Sequence, residues 1–216
     1  MIKPGQRFSY SSTPSVFDTY GFQAIGLIQG KYVAADPESE GSRNHIVTAD
    51  ECTFPCQVRR YVLKKGFDPT QTHTWSVYPN SHRTKRRKLF FNSCRISKKE
   101  IPDGDPSNLL ESCLSGELNL VPDTFFIKGE LRRGRSPDVQ GDGYITLLIR
   151  YLMRPRKDRW GQFIVRIETD EAFARSGDRE MWGIIAERQG RQLLLREKQL
   201  IATAPKDSSK KQDDGK

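Results

Sequence analysis

The chain has 216 residues, 35% of them hydrophobic, with 36 Lys and Arg against 27 Asp and Glu, a formal net charge of +9. That length allows one large domain or two small ones, and the charge points to a phosphate-rich partner or an anionic surface. No apolar run reaches the ~18 residues of a membrane helix, and the start of the chain shows no signal-peptide pattern, so a cytoplasmic protein is expected.

Residues 1–18 are polar and Ser-rich, broken by Pro4 and Pro14, and predict a flexible leader. Residues 19–97 read as a first β-module. Its strands are FQAIGLIQGKYV at 22–33, CQVRRYVL at 56–63, WSVYP at 75–79 and KLFFNSCRI at 88–96. Gly26 and Gly30 inside the first run suit a sharply coiled strand. Residues 98–122 form a linker. KKEIPDGDPSN is turn chemistry, and NLLESCLSGEL is a short helix ended by Gly116.

Residues 123–203 repeat the β texture with TFFIKGELRRG at 124–134, YITLLIRYLMR at 144–154 and WGQFIVRIE at 160–168. The run 181–201 is a hairpin turning near Gln189 and Gly190. Gly177 limits 171–180 to one helical turn, and 204–216 is a disordered tail of four Lys against three Asp.

The halves share an ordered pattern. FQAIG at 22–26 matches FFIKG at 125–129, Trp75 and Trp182 each open a strand, and the triplets Leu89-Phe90-Phe91 and Leu193-Leu194-Leu195 follow basic turns. The fold class expected is therefore mainly β, with two tandem small β-barrel, OB-like modules and a short helical linker. A single β-sandwich of all the strands is the alternative.

Positive charge clusters at strand turns. Arg83, Lys85, Arg86, Arg87 and Lys88 put five cations into six residues between two strands. Lys128, Arg132, Arg133 and Arg135 surround the turn after the first strand of the second module. Arg150, Arg154, Arg156, Lys157 and Arg159 precede Trp160. Arginine suits bidentate contact with phosphate and stacking on bases. Tyr32, Tyr61, Tyr78, Phe90, Tyr144, Tyr151, Trp160 and Phe163 lie among this charge as stacking candidates. Trp75 and Trp182 are expected in the core.

Catalytic patterns are not found. The sequence has no G-x-x-x-x-G-K-[ST], H-E-x-x-H or G-x-S-x-G motif. Cys52, Cys56, Cys94 and Cys113 lack the paired spacing of a zinc site and are expected as free thiols. His45, His73 and His82 form no ligand set with them. DVQGDG at 138–143 lacks calcium-hand spacing and reads as a tight turn. No catalytic residue, metal or cofactor is expected.

FDTYGFQAIGLIQGKYV, WSVYPN and DTFFIKGEL together resemble a conserved, uncharacterised cyanobacterial family with an F-D-x-[FY]-G-F-Q-A-[IV]-G-L opening and a W-x-V-Y-P strand. The resemblance runs from about Phe17 and fades after about residue 135. It implies an architecture and a source, not an activity. That family has a strongly basic C-terminal end, whereas this tail is nearly charge-balanced.

These features predict a non-catalytic nucleic-acid-binding protein, taking single-stranded RNA or DNA with little sequence preference. The alternative is an adaptor or assembly factor whose basic loops dock an acidic protein partner. A nuclease is a weaker third reading, because the carboxylates fall mostly in turns.

Overall fold

The computed structural model describes residues 9–11, 15–38, 42–58, 62–63, 67–81, 89–97, 108–133, 143–152, 160–171, 173 and 178–205. In chain order the strands are β1 (Ser9–Ser11), β2 (Gln23–Val33), β3 (His45–Val47), β4 (Thr53–Val58), β5 (His73–Ser81) and β6 (Leu89–Ile96). The helix α1 (Leu109–Ser115) follows, then β7 (Thr124–Arg133), β8 (Gly143–Leu152), β9 (Trp160–Thr169), β10 (Arg179–Gln189) and β11 (Gln192–Ala204).

The pairings close twice. β2 pairs β3, β3 pairs β4, β4 pairs β6 in parallel, β6 pairs β5, and β5 returns to β2. The second ring repeats that connectivity: β7–β8–β9, then β11 parallel to β9, then β10, then β7 again. Numbered within each module, both run 1-2-3-5-4 and back to 1, the closed Greek-key barrel of the OB-fold.

The barrels share an edge. β2 and β7, the first strand of each, pair antiparallel with Ala24 opposite Ile127 and Gly26 opposite Phe125. Ala24 and Ile127 hold the same place in FQAIG and FFIKG, so an approximate two-fold axis passes between them. One apolar core runs through both barrels, from Ile28, Phe54 and Trp75 to Ile145, Val165 and Ile184. Phe91 of β6 stacks on Phe125 of β7, with ring centroids 6.1 Å apart. Gly26 makes this junction possible: a Cβ there would stand 2.1 Å from the Phe125 ring. Gly26→Ala should therefore cost roughly 2 kcal/mol by overpacking a buried seam. A urea melt checks it, and an unchanged midpoint would contradict the tight seam.

The tryptophans are not in register. Gly26 faces Val77 across β5, whereas Gly129 faces Trp182 across β10. Trp182 thus corresponds to Val77, two residues on from Trp75, and Glu180 stands two residues before Trp182. Trp75 is fully buried and donates its indole N–H to the Gly30 carbonyl at 2.9 Å. Trp182 is less buried and donates to the Glu180 carboxylate at 3.0 Å.

The linker helix forms where expected. Leu109, Leu110 and Cys113 recur at helical spacing and cover Leu27, Phe126 and Ile185 on the outer face of the shared edge. Gly116 ends the helix at φ +101°. The turn at Gly190 joins β10 to β11 as expected. The 204–216 tail lies almost entirely outside the described residues.

The leader expectation fails over its second half. Ser9–Ser11 pairs with β9, Ser15 and Phe17 are buried, and Asp18–Tyr20 forms a 3-10 turn. These residues carry no strand or helix period of their own. Their partners lie more than a hundred residues away, so no local pattern announces them.

Candidate nucleic-acid interface

OB barrels bind oligonucleotides across their second and third strands, between the loop joining strands 1 and 2 and the loop joining strands 4 and 5. In the first barrel those strands are β3 and β4. Alternation along β2 sends Ile28, Gly30 and Tyr32 inward and Gln29, Lys31 and Val33 outward. Lys31 stands opposite Val47 and Val33 opposite His45, while His45 and Val47 stand opposite Pro55 and Thr53. The outer face is thus a strip with Lys31 and Val33 exposed and His45, Val47, Thr53 and Pro55 half-buried.

Two connections correspond to the loops that flank such a strip in OB barrels. Residues 34–44 join β2 to β3. The loop is folded on itself by hydrogen bonds from Ala35 N–H to Asn44 Oδ1 and from Asp36 N–H to Ser42 Oγ, both 2.8 Å. Arg43 is exposed on it. Residues 82–88 join β5 to β6, and they contain the five-cation cluster. Arg83, Lys85, Arg86, Arg87 and Lys88 lie outside the described residues, but the root of their loop does not. Ser81 pairs with Leu89, and the Arg166 N–H of β9 donates to Ser81 Oγ at 3.0 Å. The most basic loop therefore springs from the place where the two barrels meet.

The second barrel presents the rest of the cationic sites. Arg135, Arg154, Arg156, Lys157 and Arg159 lie outside the described residues, as does Tyr61. Arg133 is in β7 opposite Thr146. Arg132 is exposed beside Glu130 at 3.6 Å. Lys128 is half-buried on β7, and loss of water pulls its pKa below the ordinary lysine value. Trp160 opens β9 half-buried, with the Arg150 guanidinium 5.1 Å from its ring centroid. Arg150, read as flanking the basic turn, lies in β8, 5% exposed and 3.1 Å from Asp18.

Most aromatic candidates are not free for bases. Tyr32 and Phe90 are buried, and Arg166 lies 3.8 Å over the Tyr144 ring. Tyr78 and Phe163 are half-buried. Tyr151 is exposed, its ring lying across Gly161 so closely that a Cβ there would meet it at 2.3 Å. A cleft of about 380 Å³ opens where β9 and β11 share one pairing, but Glu168 and Asp170 line it and would repel phosphate.

Sequence reasoning missed Lys31, Arg43 and the whole of β3. The alternation of β2 after Gly26 was the available signal for Lys31. The four cysteines are free thiols, Cys56, Cys94 and Cys113 buried, and the hydrogen bond with the Cys56 thiol, then burial, raise the Cys94 pKa far above its ordinary value. No helix among the described residues is long and apolar enough to cross a membrane.

None of the curated proteins compared with the chain matches it. Residues 24–100 match the family described as the PatR RNA-binding protein, N-terminal OB-fold domain. That span takes in β2 to β6, so the first barrel, with its outer strip and its five-cation loop, is similar to an RNA-binding OB-fold domain.

Proposed function

We propose that this protein binds single-stranded RNA without catalysing a reaction on it, along the outer strip of the first barrel and the loop at 82–88. The observation that carries this is positional. The densest cation cluster of the chain occupies the strand 4–5 connection of a closed OB barrel, one of the two loops such barrels use for oligonucleotides. The similarity of that same barrel to an RNA-binding domain supports RNA over DNA. Lys31 and Arg43 add charge at the strip and on the loop joining β2 to β3. Few exposed aromatics border the strip among the described residues, which favours backbone contact over base stacking, and hence little sequence preference.

Titration of a fluorescent oligouridine at two salt concentrations tests this. Binding should weaken steeply as salt rises, because phosphate contacts release counterions. No binding at low salt, or binding indifferent to salt, would refute it. An acidic protein captured from nuclease-treated lysate, with no affinity for RNA, would favour the adaptor instead.

A further inference from the structure

We propose that the second barrel carries a latent site for single-stranded nucleic acid, held shut by the N-terminal segment of the same chain. This rests on the reading of the first barrel as a nucleic-acid binder, and the two can fail separately.

The barrels share one connectivity, yet their equivalent faces differ. On the outer strip of β2, β3 and β4, Lys31 and Val33 are exposed among the described residues. On β8, Ile145, Leu147 and Ile149 point into the core, which turns Arg150 outward, and the register places it opposite Gln162, next to Trp160. This patch is occupied. β1 adds to β9, with Ser9 opposite Gln162 and Ser11 opposite Trp160. Ser15, Phe17 and Asp18 then lie against Arg150 and Arg179.

The occupant copies what a nucleic-acid strand would offer. The Asp18 carboxylate accepts from Arg150 Nη1 at 3.1 and 3.4 Å, in the place of a phosphate. It is held there by the Ser15 N–H at 2.7 Å. The Phe17 ring lies 5.4 Å beneath Arg179, in the place of a stacked base. Arg179 also forks onto Glu130, both contacts 3.0 Å, and donates to Ser15 Oγ at 3.1 Å. Arg150 and Trp160 together form a cation and a stacking ring, the pair of groups that holds a nucleotide. Displacing Asp18 would hand them to an incoming strand.

The test uses the full chain and a labelled oligouridine of about 30 nucleotides, long enough to span two OB sites. Asp18→Asn and a deletion of residues 2–11 should each bind several-fold tighter than wild type and occlude a longer stretch of RNA. Adding Arg150→Gln to Asp18→Asn should remove the gain. The deletion guards against a merely electrostatic effect: it removes Lys3 and Arg7 and no acidic residue, so charge alone predicts weaker binding. In wild type, saturating RNA should strip hydrogen-exchange protection from the amides of Ser9 to Ser11. Wild type that binds RNA while both variants match it, with those amides still protected, would overturn the latent site and leave the first barrel's role intact. Variants that bind where wild type does not would support the latent site and refute binding by the intact chain. If no protein binds, both fall.

Discussion

Replacing Arg83, Lys85, Arg86, Arg87 and Lys88 together by alanine should weaken RNA binding by about 100-fold at low salt, alike for all sequences. Each phosphate contact to single-stranded RNA adds about 0.7 to the slope of log affinity against log salt. Loss of several contacts should therefore flatten the salt dependence visibly. The fold should survive, because Ser81 and Leu89 are paired with each other at the base of the loop. Thermal melting of the variant should match wild type. The equivalent change at Lys128 and Arg132 should do much less: Lys128 is half-buried and Arg132 already faces Glu130. Equal losses at the two places would move the interface to the second barrel. Unchanged affinity and slope in the five-residue variant would remove the loop from it.

The strands were legible because their alternation is local. β5, β7 and β9 begin and end within two residues of where the apolar pattern puts them. Barrels were expected from the repeated strand texture, but which strands close each ring was not legible, because the parallel pairs β4–β6 and β9–β11 join residues far apart in sequence and leave no periodic trace. β3 has three residues, too few to alternate. Matching the tryptophans was misleading by two positions, since a shift of two residues keeps a side chain on the same face of a sheet. Charge was legible and its fate was not. Arg150 sits in a cationic stretch of sequence, yet a carboxylate 132 residues away engages it. The outer strip of the first barrel depends on which residues flank β3, and it appears only once the barrel is closed.

Arg188 shows the same limit at the joint between the barrels, and removing it should strongly destabilise the protein. Its guanidinium, 7% exposed, donates Nε–H to Asp123 Oδ1 at 2.6 Å and Nη2–H to Asp123 Oδ2 at 3.1 Å. Its Nη1 reaches Asp50 Oδ2 at 2.8 Å and the Gly190 carbonyl at 2.9 Å. It also lies 5.6 Å over the Phe54 ring. One side chain of β10 thus ties the second barrel to the turn before β4 and to β4 itself. Burial works against its charge, but the hydrogen bonds it donates to Asp123 and Asp50 outweigh burial and hold it protonated. Arg188→Ala should cost about 3 kcal/mol, the low end for breaking a buried ion pair, because both carboxylates are exposed enough to take up water. For a chain of this size the melting temperature should fall by about 6–12 °C. Arg188→Lys keeps the charge without the fork and should recover only part of the loss. Acid adds a second signature. Hydrogen bonds from Arg188 first, then Thr48, hold the Asp50 carboxyl well below the usual carboxylate range. A depressed folded pKa stabilises above the unfolded value near 4 and is lost as pH falls below it. Wild type should therefore lose stability on acidification below about pH 4 more steeply than Arg188→Ala, in which that shift is largely gone. Parallel acid profiles for the two proteins would show that Arg188 and Asp50 do not act together across the joint.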